Sequence, residues 1–227
     1  MTVVVVTGTD TGVGKTIVTA ALAALARASG ALVAVVKPVQ TGVAVGEPGD
    51  LDDVRRLAGV EDLHELARFG DPLAPATAAR RANVPAPSVA QLAASVRELV
   101  DRDLVLVEGA GGLLVHLDAG GGTLADLARE LAAPAVVVAR AGLGTLNASA
   151  LTCEALATRG VACLGLVIGA WPAAPDLAAI SNLDDLPTYT GRRVLGRLPD
   201  GSGTLKPDEF LEVAKAGIDA ELQRMVA

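Results

Sequence analysis

The feature that most constrains the fold of this chain is a glycine-rich segment between two apolar runs. Residues 3–6 are consecutive valines, Gly-Thr-Asp-Thr-Gly-Val-Gly-Lys-Thr follows at 8–16, and residues 17–25 have helical apolar spacing. Strand, loop and helix in this order are typical of a phosphate-binding loop, because backbone N–H groups converge on an anion where the helix begins. Lys15 then supplies a charge for the terminal phosphates, and Thr16 offers a hydroxyl to Mg²⁺.

The spacing of this loop is expanded by one residue. Five residues separate Gly8 from Gly14, where the usual loop has four before its Gly-Lys pair. The intact Gly-Lys-Thr favours a nucleoside-triphosphate site over an ordinary glycine turn that opens a helix. A dinucleotide-binding loop fits less well, because position 17 is Ile and the second strand ends in Lys37 instead of a carboxylate.

Strand and helix patterns alternate along the whole chain. This alternation predicts an α/β fold with a doubly wound, mostly parallel sheet of about seven strands and helices on both faces. No linker or repeat divides the chain, so we expect one domain over residues 1–227. The predicted strands beyond the first are 32–36, 103–107, 135–139, 161–168 and 194–198. The predicted helices are 15–28, 50–58, 88–100, 123–131, 147–158 and 207–225, while 61–87 is irregular. Ser88 is expected to cap helix 88–100, and Thr123 with Asp126 resembles a capping box for helix 123–131.

Composition narrows the environment and the partners. The formal net charge is −7 without a basic cluster, which argues against nucleic acid and anionic membrane as partners. Gly, Pro or charge interrupts every apolar run before the ~20 residues that cross a bilayer. Met1 leads directly into a strand, so we expect no signal peptide. Cys153 and Cys163 form no metal or redox motif, and we expect reduced thiols and a cytoplasmic location.

Polar residues directly follow two of the predicted strands, at the edge where α/β sheets bind ligands. Glu108 follows strand 103–107 and precedes Gly-Ala-Gly-Gly, so it is placed to hold Mg²⁺; a solvent-facing carboxylate is the alternative. Lys37 is followed by the stiffening Pro38, although lysines at such positions are commonly solvated cations. Two lysines at one site indicate more negative charge than a triphosphate carries.

Two further segments allow two interpretations each. Asp50 follows a glycine-containing segment, 42–49, that we interpret as a mobile loop. Its carboxylate completes a metal shell with Thr16 and Glu108, caps helix 50–58, or does both. Residues 142–147 either bind a carboxylate through free N–H groups at a helix N-terminus or form a plain loop with Asn147 as the cap.

Taken together, these motifs resemble the dethiobiotin synthetase family, which has a P-loop NTPase fold. The resemblance rests on the expanded loop, on Lys-Pro-Val-Gln-Thr-Gly at 37–42, on Val-Glu-Gly-Ala-Gly-Gly at 107–112 and on Gly-Thr-Leu-Asn at 144–147. It implies a Mg²⁺-dependent cyclo-ligase of biotin biosynthesis, driven by ATP or another nucleoside triphosphate. Such an enzyme joins CO₂ to 7,8-diaminopelargonate through a carbamate and a carbamic-phosphoric anhydride. It also implies a homodimer with the substrate site at its interface.

The resemblance assigns roles by position. Lys15 and Lys37 are implied to be catalytic, and Thr16, Asp50 and Glu108 to hold the metal. The implied nucleotide contacts are Gly12, Val13, Gly14, Lys15, Thr16, Ile17, Asp50, Glu108, Gly109, Ala110, Gly111, Gly169, Ala170, Leu198, Pro199 and Asp200. The implied substrate contacts are Lys37, Thr41, Gly111 and, from the partner subunit, Thr145, Leu146 and Asn147.

The base pocket departs from the family pattern. Gly169 and Ala170 stand where the family commonly has Asn followed by Asp or a similar residue. We therefore hypothesise that the site discriminates weakly between nucleotide bases.

Two other classes share the fold and serve as alternatives. A ParA/MinD-type switch ATPase needs a lysine where this chain has Asp10 or Thr11, and usually a basic surface or an amphipathic membrane tail. An amidoligase of the cobyrinate type usually carries a glutaminase domain with a nucleophilic cysteine.

Overall fold

A computed structural model describes residues 1–226, which form a seven-stranded parallel sheet with helices on both faces. The strand order is β4-β2-β6-β1-β7-β8-β9, and β3 pairs with β5 in a separate two-stranded sheet. The strands are β1 (Thr2–Gly8), β2 (Val33–Lys37), β3 (Gln40–Thr41), β4 (Leu63–Glu65), β5 (Arg68–Phe69), β6 (Leu104–Glu108), β7 (Ala135–Ala139), β8 (Cys163–Trp171) and β9 (Val194–Pro199).

Nine α-helices within the described residues connect and cover these strands. They are α1 (Lys15–Ala28), α2 (Asp50–Ala58), α3 (Pro75–Ala82), α4 (Val89–Arg97), α5 (Leu124–Glu130), α6 (Thr145–Thr158), α7 (Leu177–Thr190), α8 (Pro207–Gly217) and α9 (Ala220–Val226). In this part of the chain no helix is long and apolar enough to cross a bilayer.

The central strands are apolar throughout because both of their faces are covered. Val4 and Val6 of β1 belong to one hydrophobic cluster, while Val5 between them belongs to the cluster on the opposite face. Successive side chains of a strand point to opposite faces, so a run of valines fills two cores at once. The predicted doubly wound α/β fold is confirmed.

Strand register places the predicted site residues next to one another. β6 lies between β1 and β2, and Val6 of β1 is the register partner of Glu108. Val36 of β2 is the partner of Val107, so Lys37 and Glu108 leave the sheet side by side. Parallel strands end at the same edge, and the phosphate-binding loop leaves that edge as well.

Helix ends agree with the predicted capping residues at two positions and differ at a third. The Ser88 hydroxyl accepts from the N–H of Gln91, and Thr123 and Asp126 form the predicted capping box. Helix α6 instead begins at Thr145 after Gly144, whose φ is +86°, so the alternative in which Asn147 caps the helix is wrong. Glycine reaches this left-handed conformation without steric cost.

The C-terminal segment and several short elements differ from the sequence-based predictions. The single helix predicted at 207–225 is two helices, because Asp219 donates its N–H to Leu195 O at 2.7 Å and ties the chain to the edge strand β9. Helix α7 lacks a sequence prediction, since it follows a proline-rich stretch and contains Pro187. The short strands β4 and β5 lie inside the segment predicted to be irregular, 61–87.

Candidate nucleotide and substrate site

A cavity of about 730 Å³ lies at the carboxyl edge of the sheet. Most of the predicted nucleotide, metal and substrate positions line it together. They are Gly12, Gly14, Lys15, Thr16, Ile17, Lys37, Thr41, Asp50, Glu108, Gly109, Ala110 and Gly111. Residues far apart in the chain therefore share one concave surface of a size that suits a nucleotide and a small substrate.

The phosphate-binding loop is held tightly against the neighbouring strand β8. Gly14 has φ +92°, and a Cβ there would lie 2.7 Å from Gly169 O. A Cβ at Gly169 would in turn overlap Val13 O. Backbone therefore touches backbone at this point, and only glycine fits on either side.

Lys15 lies within this loop at the start of α1. Its Nζ donates to Asp10 O at 2.9 Å, and the residue is 7% exposed. Burial, together with the nearby Lys37, lowers the pKa of the Lys15 ammonium. The loop therefore carries a cation with few internal partners, as expected of a group that binds an added anion.

Lys37 is the centre of a buried charge cluster. Its Nζ donates to Glu108 Oε1 at 2.8 Å and to Gly109 O at 3.2 Å, and it also pairs with Asp50 Oδ2. Burial opposes the charge, but the two carboxylates outweigh it and raise the pKa of Lys37. A buried ammonium between two carboxylates is satisfied and fixed in position.

Glu108 has one oxygen free for a ligand. Oε1 accepts from Lys37 and from the Thr16 hydroxyl at 2.9 Å, whereas Oε2 is buried and has no hydrogen-bond partner. An orphaned carboxylate oxygen beside a hydroxyl and a second carboxylate, that of Asp50, fits Mg²⁺, which prefers oxygen ligands. Residues 1–226 hold no group of three or more His, Cys, Asp or Glu placed to bind a metal.

Asp50 does not cap helix α2. The cap is Gly49, whose N–H donates to Asp52 Oδ2 at 2.7 Å, and Asp50 is the first helical residue. The Asp50 side chain is therefore available to Lys37 and the cavity. The capping interpretation of this residue is wrong.

Several predicted positions lie outside the cavity lining. Val13 and Leu198 are side chains of the hydrophobic core, and Thr145 is fully buried within α6. Leu146 packs partly on the core, and Asn147 is exposed. The remaining predicted nucleotide contacts lie on the neighbouring strands β8 and β9 or directly after them. Gly169 and Ala170 belong to β8, and Pro199 is the last residue of β9. Asp200 follows β9 and donates its N–H to Trp171 O of β8 at 2.7 Å.

Part of the cavity wall consists of residues outside the predicted site. The side chain of Gln40 and the segment Pro72, Leu73, Ala74, Pro75 line the cavity, together with Thr11 and Val115. Gln40 could have been predicted as a site residue, because it lies in the polar segment that follows strand β2. The proline-flanked segment has no chemical pattern that indicates a ligand.

The fold and this loop define a P-loop nucleotide-binding protein. A family model described as an AAA domain matches residues 2–207. Among solved structures, MinD from Pyrococcus horikoshii OT3, solved with Mg-ADP, superposes with a TM-score of 0.62 at 15% identity, covering 100% of this chain and 98% of that one. MinD from Pyrococcus furiosus gives 0.59 at 18% identity, covering 100% and 99%. At such identities the likeness concerns the fold alone.

Curated relatives identify the family within this class. The chain is 60% identical to the ATP-dependent dethiobiotin synthetase BioD of Frankia casuarinae, over 98% of this chain and 94% of the relative. It is 60% identical to that of Saccharopolyspora erythraea, over 96% of each chain. The chain belongs to the ATP-dependent dethiobiotin synthetase family, as its motifs predicted.

Proposed function

We propose that this chain converts 7,8-diaminopelargonate and CO₂ to dethiobiotin, using ATP or another nucleoside triphosphate and Mg²⁺. Family membership supports a ligase of biotin biosynthesis. The observation that carries the finer proposal is the Lys37 ammonium, fixed between Glu108 and Asp50 beside the phosphate-binding loop. A buried cation at that point suits a reaction that brings a second anion to the γ-phosphate.

The proposed reaction has three steps. One amine of the substrate attacks CO₂ and loses a proton, giving a carbamate. A carbamate oxygen attacks the γ-phosphorus, the bond to ADP breaks, and a carbamic-phosphoric anhydride forms. The second amine then attacks the carbamoyl carbon and loses a proton, and phosphate leaves as the ring closes. Each of the last two steps develops negative charge on phosphate oxygens, which the protein must stabilise.

The roles of the chain's own residues follow from their positions. Lys15 binds the terminal phosphates, and Lys37 with Thr41 orients the carbamate. The N–H groups of residues 12–17 and of the 109–111 turn bind phosphate and substrate oxygens. Mg²⁺, held by Thr16, Asp50 and Glu108, would neutralise charge on the β- and γ-phosphates when bound.

The proposed base pocket is made of backbone on one side. Backbone contact between Gly169 and the P-loop leaves no room for a base-reading side chain there. This supports weak base discrimination through residues 169–170 and 198–200. Turnover with CTP and GTP comparable to that with ATP agrees with the proposal, and a strong preference for ATP contradicts it.

The substrate site is proposed to span a homodimer. Thr145, Leu146 and Asn147 do not line the cavity of their own chain, and Leu143 just before them is 82% exposed. Both facts support a site in which α6 of one subunit faces the cavity of the other. Its free N–H groups would then receive the substrate carboxylate.

The deciding experiment measures phosphate release from ATP with Mg²⁺ and bicarbonate, with and without 7,8-diaminopelargonate. Release that depends on the diamine, together with dethiobiotin detected by mass, is the expected result. Release that ignores the diamine and responds to DNA or lipid overturns the proposal in favour of a switch ATPase.

A further inference from the structure

We propose that Arg68 is a positioning residue that braces the segment 42–49 and thereby sets the place of Asp50 beside Lys37. The segment joins β3 to α2, so its last residue leads directly into Asp50. The inference rests on the role of Asp50 given in the proposed function. Neither the motifs nor the predicted site residues include Arg68 or its partner Glu65.

The Arg68 guanidinium joins the segment to the sheet. Its Nη1 donates to Ala44 O at 2.9 Å and to Glu47 O at 2.7 Å. Its Nε and Nη2 donate to the two carboxylate oxygens of Glu65 at 2.6 Å and 2.8 Å. Such a two-pronged pair fixes the plane of the guanidinium, which a lysine cannot reproduce.

The Arg68 guanidinium is the polar attachment of the middle of this segment. The ends are held separately, since Gly42 donates its N–H to Phe69 O and Asp71 O, and Gly49 donates to Asp52 Oδ2. Between these ends, within the described residues, the hydrogen bonds that join 43–48 to the rest of the chain are the two from Arg68. The other two bonds of this stretch run between Ala44 and Glu47. Val45 at its tip is 93% exposed. A loop with so few buried contacts opens locally at small cost unless it is tied down.

A continuous set of contacts leads from Arg68 to the charge cluster. Gly49 fits between two side chains, since a Cβ there would lie 2.9 Å from Arg68 Nη2 and 3.0 Å from Gln40 Oε1. Gln40 Oε1 also accepts the N–H of Asp50 at 3.1 Å. The Asp50 carboxylate pairs with the Lys37 ammonium. The position of the guanidinium therefore determines where the first turn of α2 presents its carboxylate.

The test compares Arg68→Gln and Arg68→Lys with a matched control, Arg97→Gln. Arg97 lies at the end of α4 in an exposed pair with Glu130, and has no hydrogen bond to the segment or to α2. We expect both Arg68 variants to speed hydrogen exchange of the Asp50 amide about tenfold and to lower kcat about tenfold, leaving the KM for ATP within twofold. The control variant should change none of these quantities.

A double-mutant cycle distinguishes positioning from general support of the fold. If Arg68 acts through Asp50, Arg68→Gln lowers kcat by less than twofold in an Asp50→Asn background, because the shared effect is already lost. Equal losses in both backgrounds, or unchanged exchange at Asp50, overturn the inference. If Arg68→Gln does not fold, Glu65→Gln carries the same test.

The failure of this inference is separate from that of the proposed function. Hydrogen exchange of the Asp50 amide measures the effect of Arg68 on the segment in the absence of any reaction. If phosphate release depends on the diamine but the effects of Arg68→Gln and Asp50→Asn on kcat are additive, the proposed role of Arg68 is contradicted and the proposed function is not. If phosphate release does not depend on the diamine, the proposed function is contradicted, whereas the hydrogen-exchange result for Arg68 still stands.

Discussion

At the scale of single residues, Lys37 concentrates the chemistry of the site. It is 2% exposed and bonded to Glu108 and Asp50, so its charge is fixed by burial and geometry at once. Burying such a cluster costs stability unless every charge has a partner. A chain under selection for stability alone gains more from apolar residues at these positions.

Replacing Lys37 by Ala removes the cation while leaving the phosphate-binding loop intact. We expect turnover to fall at least about 100-fold, because developing charge loses its buried partner. Nucleotide affinity should stay within about threefold, as Lys15 and the loop amides remain. Steady-state kinetics and nucleotide titration check both, with Lys206→Ala at an exposed position as the control. Lost nucleotide affinity with near-normal turnover would contradict the assignment.

Whereas Lys37→Ala removes a side chain, a substitution at Gly169 adds one. An Asn side chain at this position would overlap Val13 O and should displace the phosphate-binding loop. Gly169→Asn is therefore expected to weaken binding of ATP, CTP and GTP alike, by about tenfold or about 1.4 kcal/mol. Isothermal titration with each nucleotide measures this. A variant that gains selectivity for ATP without losing affinity would show that the loop can move aside.

At the scale of elements, helix termini are stabilised by local polar residues. Asp126 in the first turn of α5 accepts from the hydroxyl and N–H of Thr123 at 2.6 Å and 3.0 Å. These bonds, chiefly that of the hydroxyl, lower the pKa of the Asp126 carboxyl below its ordinary 3.8. A lowered pKa means that the charged form stabilises the folded state above the ordinary value, and that this contribution is lost as the pH falls.

Asp126→Asn removes the charge and keeps the shape. We expect it to lower the free energy of unfolding by about 0.5–1 kcal/mol at pH 7. The difference from the unsubstituted chain should shrink as the pH falls through the lowered pKa, where the natural carboxyl also becomes neutral. Urea unfolding at several pH values measures this, and Asp185→Asn at an exposed position of α7 is the control. A difference that is constant with pH would rule out the charged cap.

At the scale of the whole molecule, the homodimer proposal makes a quantitative prediction. Lys37→Ala and Asn147→Ala should each inactivate the enzyme if the two residues serve one site from different subunits. When the two variants are mixed one to one and exchange subunits, half of the dimers are heterodimers. One of the two sites in each heterodimer then has both natural residues, so about a quarter of the activity should return. An activity assay with sedimentation analysis checks this. No recovery from fully exchanged dimers would place both residues in the same chain's site.

The sequence predicted those parts of the fold that depend on local patterns. Neighbouring residues are enough to explain these parts, which are the valine strand at 3–6, the Gly-Lys-Thr of the loop and the helix caps at Ser88 and Thr123. The short strand β4 and helix α7 were not predicted, because tertiary contacts stabilise them against weak or contrary local preferences.

Two features are readable from the amino-acid sequence alone: a phosphate-binding loop opens an α/β sheet, and Lys37 and Glu108 follow strands. Periodicity and residue chemistry are local properties, so they are visible without a structure. The position of β6 between β1 and β2 depends instead on how the whole sheet assembles, and it brings Lys37 within 2.8 Å of Glu108. The brace from Arg68 to Asp50 likewise depends on how distant segments pack, and neither segment carries a pattern that indicates the other.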